Sequence, residues 1–378
     1  MRILVLGAGR MGVAIVHDLL RCGARVGVAD SRSEALRQFA RRFGRARLAL
    51  HRLDAADERA TARLLANYNA AASALPYWQN LPLARAAIRA RVGFCDLGGS
   101  HAIRKAQQRL DRRARRAGVA IIPDCGLAPG LSSVLVAHGA RAFARLDSIR
   151  MYVGGLPQRP KPPLNYSLYF SPDGLINEYC EPVEVVRGGK RRILEPLAEL
   201  EAFRFAGMPP LEAFTTSGGS STLPRTFRGV RELEEKTIRY RGHCKRVRVL
   251  AALGLFSSEP VRVGGRTVRP RDVLGELLVK TLPANDPDIV LVRVVLAGRT
   301  QRGRRRKLIY EARDRYDRHA RLTAMMRTTA YSASVAAQWL AQGRIRPGVH
   351  SPEAALPPEE FLQEMRRRGI RVRRRWAR

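Results

Sequence analysis

Gly7-Ala8-Gly9-Arg10-Met11-Gly12 stands directly after an apolar run at 3–6 and opens a segment of helical period. Glycines at this spacing fit a phosphate-binding turn. Gly7 permits the tight bend, Gly9 lets the backbone approach a pyrophosphate, and Gly12 lets the helix pack close on the strand. The N–H groups and partial positive charge at the helix start would hold the phosphates. Asp30 ends the next strand-like run. A carboxylate there accepts hydrogen bonds from ribose hydroxyls and repels a 2′-phosphate. The pattern therefore favours NAD as cofactor, with NADP second, and Arg32 is the residue that argues for NADP. Arg10 and Met11 in the turn, Ser31 beside Asp30, and Leu75 and Pro76 after a later strand complete the candidate cofactor contacts. The alternative is a glycine-rich structural turn in some other α/β protein. The coincidence of strand, turn, helix and acid weighs against it.

Three further strand ends face the same crevice of a doubly wound sheet. They carry Ala74-Leu75-Pro76-Tyr77, Cys95-Asp96-Leu97-Gly98-Gly99 and Pro123-Asp124-Cys125-Gly126. Tyr77, Asp96 and Asp124 are thus placed for catalysis. The plainer reading makes the two acids helix caps and Tyr77 a ring packed beside the cofactor. Thr216-Ser217-Gly218-Gly219-Ser220-Ser221-Thr222 is rich in hydroxyls and small residues. Ser217, Gly218 and Gly219 are candidates for a backbone nest that holds a carboxylate, against a flexible loop. No His, Asp or Glu cluster has metal-ligand spacing, so no metal is expected.

These residues need a scaffold that ends several strands at one edge. Helical period at 11–20, 33–43, 58–66, 81–91 and 103–117 alternates with strand-like runs at 25–29, 47–50, 70–75, 92–97 and 119–122. Such alternation implies a parallel, doubly wound sheet. Pro129-Gly130 opens one more helix, to about 143. Strands then dominate, at 148–154, 183–186, 193–194, 237–240, 247–253, 261–263, 289–297 and 307–316, with one helix at 272–282. A mixed or antiparallel second domain follows from this. A further apolar-faced helix is expected at 328–341, a loop at 347–358, and a basic tail beyond.

The chain has 378 residues, 69 basic against 33 acidic, for a formal charge of +36. A polyanion partner is one reading of this excess. Only seven of the basic residues are lysine, and selection for phosphate contact alone would accept either cation. Compositional bias toward arginine on solvated faces is favoured, and specific nucleic-acid binding is not expected. No apolar run approaches the roughly 20 residues that span a bilayer, so no membrane is expected. Five scattered cysteines without a CxxC pair argue for a reducing, cytoplasmic setting.

The dinucleotide turn, the aromatic after Leu75-Pro76, Asp96-Leu97-Gly98-Gly99 and the run Pro123-Asp124-Cys125-Gly126-Leu127-Ala128-Pro129-Gly130 together resemble the saccharopine dehydrogenase superfamily. The segments 152–157, 159–163, 170–175, 210–219 and 236–243 are similar to its L-lysine 6-dehydrogenase branch. The resemblance runs from residue 1 to about 365. It implies an α/β fold: an N-terminal Rossmann doubly wound parallel sheet (1–124), an inserted mixed-sheet α+β domain for substrate binding and dimerisation (125–322), a C-terminal helix returning to the Rossmann domain (323–346), then loop and basic tail (347–378). It also implies a homodimer and NAD-dependent oxidation of an amino-acid side-chain amine. In the lysine branch the ε-carbon is oxidised to 2-aminoadipate 6-semialdehyde with release of ammonia. In the saccharopine branch a secondary amine is split to glutamate and the same semialdehyde. A dinucleotide-sensing or nucleic-acid-binding scaffold is the non-enzyme alternative; the intact turn, Asp30 and strand-end acids argue against it.

Hydride loss needs a neutral amine, hence a base tuned near the working pH. Tyr77, Asp96, Asp124, Lys236 and His243 are the candidates. As a strand, 236–241 puts Ile238 and Tyr240 on one side and Thr237, Arg239 and Arg241 on the other. Arg239 is then available to clamp a substrate carboxylate. The alternatives are a surface or capping His243, and solvated ion pairs of Lys236 and Arg239 with Glu234 or Glu235.

Overall fold

A computed structural model describes residues 1–44, 48–284 and 286–377. The chain forms two compact units, one of Met1–His138 with Met326–Ile370, the other of Gly139–Met325 with the segment from Arg371 onward. Residues 125–138, expected in the second domain, therefore pack with the first.

In the first unit, β1 (Arg2–Leu6), α1 (Arg10–Arg21), β2 (Arg25–Asp30), α2 (Ser33–Phe43), β3 (Leu48–Arg52), α3 (Glu58–Leu65), β4 (Ala70–Ser73), α4 (Asn80–Ala90), β5 (Gly93–Asp96), α5 (His101–Gln108), α6 (Asp111–Ala117), β6 (Ala120–Ile122) and α7 (Leu131–Ala140) alternate as expected. Position 47, where a strand was expected to begin, lies outside the described residues. The helix expected over 103–117 is two, α5 and α6, joined at 109–110. Among the described residues the sheet has seven parallel strands in the order β17-β6-β5-β4-β1-β2-β3, where β17 is Gly348–Val349. The order reverses at β1 and β4, which opens the crevice for a ligand. Ile3, Leu4, Val5 and Leu6 are all fully buried, as a strand covered on both faces requires.

The second unit is built on β7 (Phe143–Pro157), α8 (Pro172–Cys180), β8 (Val183–Arg187), β9 (Lys190–Leu194), β10 (Glu201–Phe203), β11 (Leu211–Thr215), α9 (Leu223–Thr226), β12 (Glu232–Tyr240), α10 (His243–Ala252), the hairpin β13 (Val261–Val263) and β14 (Arg266–Val268), α11 (Pro270–Thr281), β15 (Asp288–Thr300) and β16 (Arg305–Arg315). Its main sheet runs β10-β11-β12-β7-β15-β16-β18, with β18 at Val372–Ala377 and β8 paired to β12 and β9. β12 lies parallel to β7 and antiparallel to β11. One face of β12 puts Ile238 and Tyr240 into a core with Leu156, Phe203, Leu211 and Leu291.

Two expectations fail here. The run 247–253 is helical, part of α10. Glu212 caps it from outside, accepting the N–H groups of Gly242 at 2.7 Å and Cys244 at 2.6 Å, and Cys244 and Val247 bury one side. That tertiary cap overrides the local β preference of Val-Arg-Val-Leu. The segment 347–378 is not loop and tail. It holds β17, α13 (Pro352–Ala355), α14 (Pro358–Arg367) and β18, with position 378 outside the described residues. The helix expected at 328–341 is α12 (Ala324–Ala341), and Asp288 accepts the N–H groups of Ala324 and Met325 at its start. Among the described residues no helix is long and apolar enough to cross a membrane.

Candidate active site

The glycine turn follows the division of labour that its spacing suggests. Gly7 has φ +106°, and a Cβ there would lie 2.9 Å from the Ala74 carbonyl oxygen. A Cβ on Gly12 would overlap the Gly7 carbonyl oxygen, so helix and turn are in direct contact. At Gly9 a Cβ would meet nothing within 4 Å. Gly9 begins α1 without a side-chain cap, so bare backbone and a helix N-terminus face open space. That cradle fits a pyrophosphate, and thus the nicotinamide dinucleotide expected from sequence. Leu75 packs against the turn beside Gly7. Arg10, Met11 and Pro76 are half-buried around it, and Ser31 is exposed.

Asp30 is buried at the end of β2. Its carboxylate accepts the Ala8 N–H at 2.8 Å and the Arg32 N–H at 2.9 Å, and it pairs with the Arg32 guanidinium at 3.1 Å. Burial pushes this carboxyl up, but the bonds from Arg32 and Ala8 outweigh it and hold Asp30 below its ordinary value. Arg32 keeps 67% of its side chain exposed, so it is free to turn toward a ligand.

The loops after β4, β5 and β6 meet at Gly98 and Gly99. A Cβ on Gly98 would sit 2.4 Å from Asp124 Oδ1, and one on Gly99 would sit 3.0 Å from Tyr77 Cβ. The two glycines seat Tyr77 and Asp124 on one short turn. Asp124 has φ +64°, and its carboxylate lies 3.7 Å from the buried Arg104 guanidinium. Asp96 is fully buried beneath them. It accepts from Gly98 N–H at 2.8 Å, Asp124 N–H at 3.2 Å and Gln107 Nε2 at 2.6 Å. Burial raises its carboxyl against those bonds. Asp96 therefore holds the other loops in place. The buried Cys125 thiol, which the sequence reading passed over, lies beside Cys95, and burial and that neighbour raise it well above its ordinary value.

In the second unit β12 is buried on both faces. Lys236 donates to the Glu199 carbonyl at 2.9 Å and lies 3.5 Å from Glu201. Its partners differ from the expected Glu234 and Glu235. Arg239 points the other way, fully enclosed, with its guanidinium 4.7 Å over the Tyr166 ring. It donates to Tyr179 Oη at 3.2 Å, to the Ile238 carbonyl at 3.0 Å and to Glu178 at 3.4 Å. His243 is buried, not on the surface. Its Nδ1 faces the Leu164 carbonyl at 2.9 Å and its Nε2 faces Tyr179 Oη at 3.0 Å. The carbonyl fixes the tautomer: Nδ1 donates, and Nε2 accepts from the tyrosine. Burial and then Arg239 push His243 down to about 3, so it stays neutral.

Glu178 and Glu235, neither of them a candidate from sequence, share this enclosure. Burial pushes Glu178 up to about 7, with Arg239 opposing, and pushes Glu235 up to about 8, helped by Glu178. Glu235 accepts a long bond from Thr216 Oγ1 at 3.5 Å and lies against Gly219, where a Cβ would come within 2.4 Å of its carboxyl carbon. Gly219 is thus a packing requirement of Glu235. Gly218 has φ +101° and open space around it, while Ser217 Oγ donates to the Pro182 carbonyl. Among the described residues no group of three His, Cys, Asp or Glu side chains is arranged to hold a metal ion.

Residues 3–122 match the family model described as the saccharopine dehydrogenase NADP binding domain, and residues 126–370 match that of the saccharopine dehydrogenase C-terminal domain. The mitochondrial alpha-aminoadipic semialdehyde synthase of Bos taurus is 25% identical over 275 residues, 68% of this chain and 29% of that protein. Saccharopine dehydrogenase (NADP(+), L-glutamate-forming) of Saccharomyces cerevisiae is 24% identical over 236 residues, 60% of this chain and 52% of that one. The chain thus aligns with under a third of the first relative's length and about half of the second's. Among solved structures, apo saccharopine dehydrogenase (L-Glu forming) from Saccharomyces cerevisiae covers all of both chains with a TM-score of 0.82 at 18% identity. Homospermidine synthase from Legionella pneumophila in complex with NAD covers 100% of this chain and 91% of its own at a TM-score of 0.69 and 12% identity. At such identities these structures speak for the fold. With both parts matched in chain order over nearly its whole length, the chain belongs to the saccharopine dehydrogenase family.

Proposed function

We propose that the chain oxidises a side-chain amine of an amino acid with a nicotinamide dinucleotide, and that L-lysine, converted to 2-aminoadipate 6-semialdehyde with release of ammonia, is its substrate. The observation that carries this reading is the crevice edge of the first unit: open backbone at Gly9, the Asp30 carboxylate at the end of β2, and Tyr77 with Asp124 on the turn at Gly98 and Gly99. The dinucleotide, when bound, accepts the hydride from the carbon that bears nitrogen.

The protein must first neutralise the amine. Asp124 is our base, taking the ammonium proton and later one from the water that attacks the iminium carbon. Tyr77 beside it orients the nitrogen. Asp96 is a positioning residue, since its buried carboxylate accepts from the Gly98 N–H, the Gln107 amide and the Asp124 N–H. Lys236 and His243 do not serve as bases in this reading. Lys236 is engaged by Glu199 and Glu201, and both ring nitrogens of His243 are occupied.

NAD is our cofactor, because Asp30 is placed to accept ribose hydroxyls. A second reading, oxidation of saccharopine to glutamate and the same semialdehyde with NADP, is favoured by the exposed Arg32 and by the relatives' activities. The test follows formation of reduced dinucleotide with L-lysine or saccharopine against NAD or NADP. Turnover of L-lysine with NAD is expected. Turnover of saccharopine alone selects the second reading, and no turnover of either despite dinucleotide binding overturns both.

A further inference from the structure

Buried strand faces are usually apolar, because an enclosed charge without compensation is costly. One face of β12 breaks this rule with Glu235, Thr237 and Arg239. Every element packed on it adds polar groups: α8 supplies Glu178 and Tyr179, the segment before α8 supplies Tyr166, the loop after β11 supplies Thr216, and α10 supplies the neutral His243. Lys236 points to the opposite face. Arg239 pairs with Glu178 at 3.4 Å, while Glu235 on the same strand face has no cation within 4 Å among the described residues, so the enclosure lacks one positive charge when both are ionised.

Two further observations show where that charge would come from. Glu178 is strongly desolvated, yet 31% of its side-chain surface remains accessible. It is therefore the carboxylate of this cluster that solvent reaches. Tyr166 is only 2% exposed, and among the described residues its hydroxyl has no hydrogen-bond partner. That hydroxyl stands in the electrostatic field of Arg239 and Glu178. An unmet buried hydroxyl beside an unmet negative charge marks a place for a donor from outside.

We propose that Glu178, Glu235 and the Tyr166 hydroxyl recognise the α-ammonium group of an amino-acid substrate, with Arg239 beside them taking its α-carboxylate. The adjacency of acid pair and guanidinium matches the adjacent opposite charges of a zwitterion, which a lone inorganic cation does not present. The proposal rests on the amine-oxidising reading and names the part of its substrate that is recognised: the α-amino-acid head. Ammonium binding draws both carboxylates into the ionised form, so affinity rises with pH through the range in which Glu178 and Glu235 titrate.

The test uses the whole protein with its dinucleotide, and two probes that differ only in the α-amino group: L-lysine and 6-aminohexanoate. Dissociation constants come from calorimetry. Glu178→Gln and Glu235→Gln are each expected to weaken L-lysine about tenfold or more, with 6-aminohexanoate and the dinucleotide unchanged. Tyr166→Phe, which keeps the ring under Arg239, should weaken L-lysine about threefold and leave 6-aminohexanoate alone. Equal loss for both probes, or no loss for L-lysine, overturns the proposal and leaves the amine-oxidising reading standing. A parent protein that binds dinucleotide but neither L-lysine nor saccharopine overturns both. Should a glutamine variant fail to fold, Tyr166→Phe alone decides, since no charge is altered.

Discussion

β12 carries two sets of charges on opposite faces. On one, Glu232, Glu234 and Lys236 join Arg150, Arg187, Glu199 and Glu201, and every carboxylate has a cation within 4 Å. Arg187 alone reaches Glu199 at 2.8 Å and Glu234 at 2.7 Å. Several of these groups are partly open to water, which can stand in for a lost partner. On the other face Glu235 and Arg239 are buried and Glu178 is partly open, and among the described residues Glu235 has no cation within 4 Å. A sequence scan sees the same alternating charges on both. Compensation separates them: the first face is closed electrostatically, and the second is open to a guest.

The contrast breaks most visibly at the two cations. Arg239→Met should destabilise the protein by about 3–5 kcal/mol, because it takes the cation from Glu178 and a donor from the buried Tyr179 hydroxyl. Lys236→Met, by contrast, should cost about 1 kcal/mol, its partners being partly hydrated. Urea denaturation of both variants checks the ratio, and equal costs would erase the distinction.

Asp30 is an intermediate case, buried like Glu235 but held by an arginine like Glu234. Asp30→Ala should weaken NAD binding about tenfold to a hundredfold, read by fluorescence titration of reduced dinucleotide. Arg32→Ala should shift preference toward NAD about threefold to tenfold; a shift toward NADP would show that Arg32 does not serve the 2′-phosphate.

The enclosed face also carries a pH response. Glu235 has a folded value of about 8 against an ordinary 4.5, so the folded state keeps its proton longer. Its stabilising contribution is complete below about pH 4.5 and is lost as pH rises toward 8. His243, pushed down to about 3 from 6.5, acts in the opposite sense, with stability lost as pH falls below 6.5. Glu235→Gln should flatten the decline between about pH 5 and pH 8 in urea midpoints. The smallest effect belongs to Arg150→Ala, an exposed partner of Glu234, at under about 1 kcal/mol.

The dinucleotide site was readable in sequence because each glycine answers a backbone demand local to a dozen residues: a positive φ at Gly7, contact at Gly12, open approach at Gly9. The face of β12 was readable as an alternation, and Arg239 was singled out from it. Glu178 was not, because it reaches the cluster from α8 across a long sequence separation. Its helix did carry a readable start, Ser171 capping Gly174 with Pro172 next. Glu235 was weighed only as an ion-pair partner, since burial cannot be read from one strand's own letters. α10 was misread for a related reason: its cap, Glu212, comes from β11. The arginine-rich end was misread because Arg373–Arg375 looks like a solvated run. Trp376 lies against Phe143, and Arg306 stacks on its ring.

That last strand has a consequence for how the protein is made. β18 pairs with the edge of β16, yet 326–370, which precedes it, belongs to the other unit. The second unit is therefore not a continuous stretch of chain. During synthesis its sheet waits, with one edge of β16 unpaired over Lys307–Ala312, until residue 377 has left the ribosome. An unpaired edge of this kind recruits strands from other chains. A nascent chain halted before 371 would present such an edge although every residue of the first unit is already synthesised.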